Sequence, residues 1–174
     1  MPEAPAVSAV HILFVCMGNI CRSPTAEGVM RTKLQAAGLA GRVSVDSAGT
    51  HNFRPGEAPD PRSQRHASAR GYDLSGLRAR QIDDGDFERA NWVLVMDWDN
   101  LALAEAACPP GHARKIRRLT EFCRRHTATV VPDPYGLGPE AFEQALDLIE
   151  DACEGLLARL QRTDTEPGGS ALSP

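Results

Sequence analysis

The sequence predicts an α/β fold in which helices cover both faces of a doubly wound parallel sheet. Short apolar segments rich in β-branched residues alternate along the chain with longer segments of helical periodicity. The first apolar segment, 10–15, is β-branched and aromatic, which is typical of a strand buried on both faces of such a sheet. Because α/β sheets bind ligands beyond the carboxyl ends of their strands, we expect the functional site where this segment ends.

The first helix is predicted over residues 23–39 and the second strand over 43–47. Ser23 is a preferred helix N-cap, and Pro24 is tolerated in the first turn because no N–H is required there. After the helix, Gly41 leads into the short β-branched run of the second strand. This succession of strand, helix and strand is that of a parallel unit.

The middle of the chain continues the alternation. A Gly- and Pro-rich segment, 49–61, precedes a helix predicted over 62–70, which ends before Gly71. The apolar run 92–96 predicts a third strand, and 100–107 predicts a helix that two following prolines terminate. Helical and apolar segments thus continue to alternate, as the predicted fold requires.

The last helix has the clearest pattern in the chain. After a candidate fourth strand at 116–122, apolar residues recur at helical spacing over 142–160 and form one stripe. Residues 163–174 contain one large apolar side chain, which predicts a flexible tail. A length of 174 residues without a dividing linker predicts a single domain, over 8–162.

Composition and charge exclude several classes of protein. The net charge is −4, and 19 basic residues are interspersed among 23 acidic ones, which argues against a nucleic-acid partner. The densest basic cluster, 114–118, is expected to be a solvated edge rather than a docking site for an acidic partner. No segment has the apolar length of a membrane span, and the N-terminal sequence lacks a signal-peptide pattern. Five cysteines without zinc-like spacing fit a reducing compartment, so we expect a cytoplasmic protein without a metal site.

Cys16 ends the first predicted strand, and Arg22 follows it after a five-residue gap. Gly18 and Asn19 tolerate the left-handed backbone that turns successive N–H groups toward a shared anion. The next helix adds the positive end of its dipole, and the planar guanidinium of Arg22 can bind two phosphate oxygens at once. All of these groups stabilise a thiolate, so the pattern predicts a cysteine that attacks phosphorus.

The same five-residue gap from cysteine to arginine occurs twice more, which allows an internal comparison. After Cys108, Pro109 and Pro110 remove two of the N–H groups that an anion-binding loop needs. Cys153 lies within the last helix pattern, where the backbone hydrogen bonds are already used. Of the three, Cys16 alone has a strand before it and a helix start after it, which argues against a purely structural core thiol.

Cleavage of a phosphate ester also needs a proton donor for the leaving oxygen and a base for water, and one carboxyl can serve both steps in turn. Asp133 is one candidate because Pro132 and Pro134 fix the loop that carries it. Asp60, which precedes Pro61, is a second candidate on the same grounds. Asp-Pro pairs are also frequent in ordinary turns, so the residues alone leave this choice open.

The segment Cys16-Met-Gly-Asn-Ile-Cys-Arg-Ser23, followed by Pro24, Ala26 and Glu27, resembles the signature loop of the low-molecular-weight protein tyrosine phosphatases. Four further motifs resemble that family in the same order along the chain: Asp46-Ser-Ala-Gly-Thr50, Ala79-Arg-Gln81, Met96-Asp97 and Asp133-Pro-Tyr135. The resemblance spans nearly the whole predicted domain. It implies a four-stranded parallel sheet flanked by helices, with no metal or cofactor.

The resemblance also implies catalytic roles. Cys16 is expected to be the nucleophile, Arg22 the clamp on the phosphate and its transition state, and Asp133 the general acid and then the base. The substrate is then a protein phosphotyrosine or another aryl phosphate. It is cleaved through a cysteinyl-phosphate intermediate, and inorganic phosphate is the product.

The phosphate-binding loop implied by the resemblance consists of Met17, Gly18, Asn19, Ile20, Cys21 and Arg22. Asn19 and Ser47 are expected to brace this loop, and Ser23 to donate a hydrogen bond to the Cys16 thiolate. Cys21 could trap an oxidised Cys16 as a disulfide, or serve only as a small residue in a tight loop.

The implied substrate pocket has walls formed by Met17, Phe53 and Tyr135, between which an aromatic ring can stack. Phe53 stands where the family often has tryptophan or tyrosine, so the ring is kept without its polar group. Gly136 stands where many members have a second aromatic residue, which predicts a more open rim. Leu77 stands where members often have a histidine that supports the loop asparagine, so we expect weaker bracing or bracing by other groups.

Other functions on the same fold remain as alternatives. Thioredoxin-coupled arsenate reductases use additional cysteines shortly after position 75, and this chain has none between Cys21 and Cys108. Protein-arginine phosphatases tend to carry threonine at the position of Ile20, where an apolar side chain favours an aryl phosphate. A non-catalytic phosphate-binding module would lack one of the three catalytic residues, and all three are present. Small phosphate esters are a further possible class of substrate.

Overall fold

The computed structural model describes residues 10–165, and its strands form one four-stranded sheet. The strands are β1 (Val10–Cys16), β2 (Val43–Gly49), β3 (Trp92–Val95) and β4 (Ile116–Arg118). Their order is β2-β1-β3-β4, and every neighbouring pair is parallel. The prediction of a four-stranded, doubly wound parallel sheet is confirmed.

Five α-helices within residues 10–165 accompany the sheet: α1 (Arg22–Ala36), α2 (Pro61–Ala69), α3 (Asp84–Arg89), α4 (Trp98–Ala107) and α5 (Pro139–Thr165). None of them is long and apolar enough to cross a membrane. The helix α5 extends through the first three residues of the tail predicted for 163–174, and residues 166–174 of that tail lie outside the described residues. The domain bounds of 8–162 therefore stay a prediction.

Alternate residues of β1 face two separate hydrophobic cores. Ile12 and Phe14 are fully buried in the core that α1 and α5 cover, whereas Leu13 and Val15 are fully buried in the core of α3 and α4. The predicted apolar stripe of α5 contributes Ile149 to the first core. Burial on both faces explains why β1 lacks the polar alternation of a strand with one exposed face.

Three helices begin at an aspartate whose side chain accepts a hydrogen bond from the first turn. Asp60, Asp83 and Asp97 occupy the N-cap positions of α2, α3 and α4. The sequence interpretation placed the starts of α2 and α4 slightly later and missed the six-residue helix α3. The helix α3 is short and polar, so its capping box is a stronger signal than its apolar periodicity.

Several predicted boundaries are wrong, among them the end of α1, which is Ala36 rather than residue 39, and the end of β2, which is Gly49 rather than residue 47. The fourth strand is shorter than 116–122 because the chain leaves the sheet after Arg118 and forms a 3-10 helix, Leu119–Phe122. Ser23 is not the N-cap of α1, since that helix begins at Arg22 and Cys21 holds the N-cap position without a side-chain cap bond. The Ser23 hydroxyl has partners at the adjacent loop instead, as described below.

Candidate active site

The carboxyl ends of β1 and β2 lie side by side and hold the loop that follows Cys16. Cys16 is the last residue of β1 and pairs in register with Gly49, the last residue of β2. A Cβ atom on Gly49 would lie 2.7 Å from the Met17 carbonyl oxygen and 3.1 Å from the Asn19 nitrogen. The loop backbone therefore packs directly on the end of β2, at a distance that only glycine permits.

Four carbonyl groups of the 16–22 loop accept hydrogen bonds from backbone N–H groups outside it. The carbonyls are those of Cys16, Met17, Ile20 and Cys21, and the donors are Thr50, His51, Asp60 and Thr25 respectively. In a trans peptide the N–H points opposite to the C=O, and the described chain contains no cis peptide bond. The N–H groups that follow these carbonyls therefore point toward the interior of the loop and form a concave site for an anion.

Asn19 has the left-handed backbone that the sequence predicted for the loop, with φ of 57°. Gly18 does not adopt it, because one left-handed residue suffices to turn this loop. The Asn19 side-chain Oδ1 accepts from the Arg80 backbone N–H at 3.0 Å, which ties the loop to the segment before α3. The Ala79-Arg-Gln81 motif thus supports the loop through a main-chain group.

The Asn19 amide also donates to two serine hydroxyls. Its Nδ2 lies 2.8 Å from Ser23 Oγ and 3.0 Å from Ser47 Oγ, and Ser23 Oγ lies 2.9 Å from Cys16 Sγ. The structure thus brings the residues expected to brace the loop together around the sulfur. Leu77, which stands where members of the resembled family often have a histidine, packs against the hydrophobic core. Asn19 therefore contacts two hydroxyls and a backbone N–H instead.

Arg22 is almost completely buried and is held by two acceptors behind the loop. Its Nη1 donates to Asp97 Oδ2 at 2.6 Å and to the Val131 carbonyl at 2.9 Å. The other carboxylate oxygen of Asp97 accepts from the Asn100 N–H, so the first turn of α4 fixes this side chain. The sequence interpretation gave Asp97 no role, although its place directly after β3 put it at the same edge of the sheet as Cys16.

Asp133 lies in the loop before α5, with its carboxylate half exposed and facing the cavity. Its Oδ2 is 3.7 Å from Arg22 Nη2, and its Oδ1 accepts from the Tyr135 N–H at 3.1 Å. The other candidate acid, Asp60, instead caps α2 and makes a two-point contact with Arg62. Burial acts to raise the pKa of Asp60, but the hydrogen bonds from Arg62 lower it below its usual value. A carboxyl held ionised in this way is a poor proton donor, which favours Asp133 as the acid.

A cavity of about 300 Å³ opens above the loop. It is lined by Cys16, Met17, Gly18, Ile20, Cys21, Arg22, Phe53, Arg54, Asp133 and Tyr135. Two of the walls are tied to neighbours: Phe53 stacks on His51 with ring centroids 4.8 Å apart, and the Tyr135 hydroxyl accepts from Arg54 at 3.2 Å. Gly136 has φ of +78°, which a second aromatic residue would adopt only with strain, so the turn itself accounts for the open rim.

Cys21 lies in the loop beside the nucleophile candidate but in a different electrostatic environment. Burial raises the pKa of its thiol to about 12. The Cys21 sulfur is therefore protonated at neutral pH and is not itself a competing nucleophile.

These groups together form a site for a tetrahedral oxyanion next to a sulfur atom. Inward N–H groups, the Arg22 guanidinium and the N-terminus of α1 all favour negative charge there. A half-exposed carboxyl, Asp133, faces the same cavity and can exchange protons with a bound ester or with water. The arrangement suits a displacement at phosphorus by the Cys16 thiolate.

Comparisons with known proteins agree with this geometry. A family model described as low molecular weight phosphotyrosine protein phosphatase matches residues 11–166. A low molecular weight protein-tyrosine-phosphatase from Streptomyces coelicolor is 40% identical over 154 residues, which cover 87% of this chain and 93% of that protein. The protein-tyrosine-phosphatase YfkJ from Bacillus subtilis is 34% identical over 153 residues, which cover 88% of this chain and 97% of that protein.

Solved structures show the same likeness over the full fold. A protein tyrosine phosphatase from Entamoeba histolytica matches with a TM-score of 0.85 and 37% identity, covering 89% of this chain and 99% of that chain. The structure of YfkJ matches with a TM-score of 0.84 and 33% identity, covering 91% of this chain and 98% of that chain. From the family model, the relatives and the shared fold, the chain belongs to the low molecular weight phosphotyrosine protein phosphatase family.

Proposed function

We propose that this protein tyrosine phosphatase uses Cys16, Arg22 and Asp133 to hydrolyse phosphotyrosine in cytoplasmic proteins, through a cysteinyl-phosphate intermediate. One observation carries the proposal: Cys16 Sγ lies 2.9 Å from the Ser23 hydroxyl, at the start of a loop in which four carbonyl groups face outward. The same loop ends on a buried guanidinium that Asp97 holds in place. Only an anionic ligand would benefit from so many converging donors.

In the first step the Cys16 thiolate attacks phosphorus, forming the S–P bond as the bond between phosphorus and the tyrosine oxygen breaks. Asp133, protonated at this stage, gives its proton to the departing oxygen, so that phenol leaves. The Arg22 guanidinium and the N–H groups of Met17, Gly18, Cys21 and Arg22 hold the non-bridging oxygens, whose charge is spread in the transition state.

In the second step water attacks the cysteinyl phosphate and the S–P bond breaks. Asp133, now ionised, takes a proton from the attacking water, and inorganic phosphate leaves. The sulfur departs as a thiolate, which the Ser23 hydroxyl is placed to stabilise. Each turnover thus returns Asp133 to its protonated state and Cys16 to its ionised state.

The walls of the cavity favour an aromatic substrate. Met17, Phe53 and Tyr135 rise around the loop and are 36%, 64% and 49% exposed, so each leaves apolar surface for a phenyl ring to cover. Ile20 adds a further apolar group at the loop itself. Cys21 is proposed to trap a Cys16 that a peroxide has oxidised to the sulfenic acid. The S–S bond then forms as the S–O bond breaks, and the Cys21 proton leaves with the hydroxyl group as water.

Replacing Asp133 by alanine is expected to slow aryl phosphates unequally. Phosphates of poorly acidic phenols should lose about 10²- to 10³-fold in kcat/KM because their leaving oxygen needs a proton. Phosphates of acidic nitrophenols should lose much less, because those phenolates leave without one. The measurement is kcat/KM, which reports the first step, across a series of aryl phosphates of graded phenol acidity. It is compared with an Asp60→Ala variant that should change no slope. Equal losses across the series would remove Asp133 from the acid role.

The substrate class is tested with a panel of phosphate esters on the wild-type protein. We expect kcat/KM for a phosphotyrosine peptide to exceed that for a phosphoarginine peptide and for a small alkyl phosphate. The reason is that an apolar ring gains contact with the Phe53 and Tyr135 walls, whereas a guanidinium is desolvated against Ile20. A preference for phosphoarginine or for the alkyl ester would contradict the proposal, and absence of turnover with every ester would indicate a binding module.

A further inference from the structure

Glu27 is a buried carboxyl that neither catalytic step uses. It lies on α1, and only 4% of the residue is exposed. One carboxylate oxygen accepts from Ser47 Oγ at 2.7 Å, and the other accepts from Arg31 Nη2 at 2.5 Å. Burial raises the pKa of Glu27, while the hydrogen bonds and charge of Ser47 and Arg31 act to lower it. Burying an ionised carboxyl costs free energy unless it is paired, so the two contacts of Glu27 are the place to look for its role.

The Asn19 amide determines where the nearby protons lie. Asn19 Oδ1 accepts from the Arg80 N–H, and its NH₂ group faces the two serine hydroxyls. An NH₂ group only donates, so each hydroxyl oxygen accepts from Asn19 and has its own single proton to give elsewhere. Ser23 can give its proton to Cys16 Sγ at 2.9 Å, a shorter contact than the 3.4 Å to the Ala48 carbonyl.

The second hydroxyl connects this arrangement to Glu27. An ionised carboxylate only accepts, so the Ser47 proton points to Glu27 and the Ser47 lone pairs point to Asn19. Without that acceptor, Ser47 would turn its proton toward Asn19 and favour the opposite amide orientation. In that orientation Asn19 Oδ1 would take the Ser23 proton away from the sulfur.

We propose that Glu27 is a positioning residue for the nucleophile: by accepting the Ser47 proton it orients Asn19, so that Ser23 donates its proton to the Cys16 thiolate. The Arg80 N–H and Glu27 then select the same amide orientation from two sides. The inference rests on the proposed role of Cys16 and adds a residue that does not line the cavity.

Burial raises the pKa of Glu27, and the positive charge beside it acts in the opposite direction and favours the ionised form. Arg31, four residues along α1, pairs with it directly, and its guanidinium also reaches the Val45 carbonyl at 3.4 Å. Asp46, on β2, is a nearby acid whose negative charge acts against the ionisation of Glu27. The charge of Asp46 is itself paired with Arg80 at 2.7 Å. A fixed negative charge at Glu27 is what the proposed proton order requires.

The test measures how the reactivity of Cys16 depends on pH in Glu27→Met, Glu27→Gln and Ser47→Ala variants. Iodoacetate alkylates thiolates, and loss of phosphatase activity follows alkylation in the cavity, which peptide mass spectrometry assigns to Cys16 rather than to Cys21. Glu27→Met is expected to raise the pH midpoint of inactivation by about one pH unit, equivalent to a tenfold smaller thiolate fraction below the midpoint. Glu27→Gln, which keeps an acceptor oxygen, should move the midpoint in the same direction by less.

Ser47→Ala removes the hydroxyl that would turn toward Asn19, so it should shift the midpoint less than Glu27→Met does. The Glu27→Met/Ser47→Ala double variant should shift it no more than Ser47→Ala alone, because Glu27 acts only through Ser47. The matched control is Glu150→Met. Glu150 lies on α5 and pairs with Arg70 and Tyr72, so its replacement should leave the midpoint unchanged.

Circular dichroism shows whether each variant is folded. If the folded Glu27 variants melt at a lower temperature but keep the wild-type pH midpoint of inactivation, the positioning role is overturned. Additive shifts in the double variant would do the same. If Glu27→Met does not fold, an unchanged midpoint in the nearly isosteric Glu27→Gln is decisive against the proposal. Failure of the proposed function has a different signature, since iodoacetate would then not inactivate the wild-type protein at any pH.

Discussion

The Cys16→Ser variant is expected to lose at least about 10⁴-fold in kcat while still binding inorganic phosphate. A serine hydroxyl in this loop is not ionised at neutral pH and cannot form the thiophosphate. The inward N–H groups and the Arg22 guanidinium are unchanged, so the anion site remains. Turnover is measured with an aryl phosphate, and phosphate binding by the rise in melting temperature with phosphate concentration.

The chain contains a matched control for this variant. Cys108 has the same five-residue gap to an arginine, but it lies at the C-cap of α4 and its thiol contacts only the Pro109 carbonyl among the hydrogen bonds of the described residues. Cys108→Ser is therefore expected to keep full activity. If Cys16→Ser kept a substantial part of the wild-type rate, the covalent intermediate would have to form on another residue.

The Arg22→Lys variant is expected to lose about 10³- to 10⁵-fold in kcat, although the positive charge is kept. A single ammonium cannot hold the Asp97 carboxylate, the Val131 carbonyl and two phosphate oxygens at the same time. The loss should fall mainly on kcat rather than on KM, because the transferring phosphoryl group spreads charge over the oxygens that the fork holds. Steady-state kinetics with an aryl phosphate separate the two parameters.

Arg70→Lys is the control for this prediction. Arg70 is also surrounded by carboxylates, from Glu143, Asp147 and Glu150 of α5, but it is not among the residues that line the cavity. Its replacement can lower stability and should leave kcat nearly unchanged. A wild-type kcat in Arg22→Lys would mean that the guanidinium is a structural ion pair with Asp97 and not a clamp on the phosphoryl group.

The fold was largely predictable because its strands and longest helix carry continuous signals. The β-branched run of β1 and the apolar stripe of α5 each depend on burial that is repeated along the element. The short helices were predicted less well, because their boundaries depend on single residues: α3 was missed, and α2 and α4 were placed slightly late. The capping box of α3 and the N-cap aspartates of α2 and α4 decide those helices, and β4 ends where the chain turns into a 3-10 helix.

The nearby part of the candidate site was predictable from the residue types themselves. The distant part was either implied only by the family resemblance, as for Ser47 and Asp133, or missed, as for Asp97. Cys16, Asn19 and Arg22 lie within seven consecutive residues, so a strand end, a left-handed residue and a helix start suffice to bring them together. The partners of these residues are separated from them by 75 positions for Asp97 and by 61 for Arg80. No local pattern specifies such a distance.

The sequence by itself determined that one cysteine stands at the end of a buried strand, inside a loop of donors that suits a tetrahedral anion. The order of residue types along the chain controls local backbone geometry, and local geometry is enough to form a loop of seven consecutive residues. Only the tertiary structure decided which carboxyl does what: Asp133 faces the cavity, Asp97 holds Arg22, Asp60 caps a helix, and Glu27 orients the amide beneath the sulfur. Carboxylates are chemically alike in a sequence, and their roles differ through the donors that folding places beside each one.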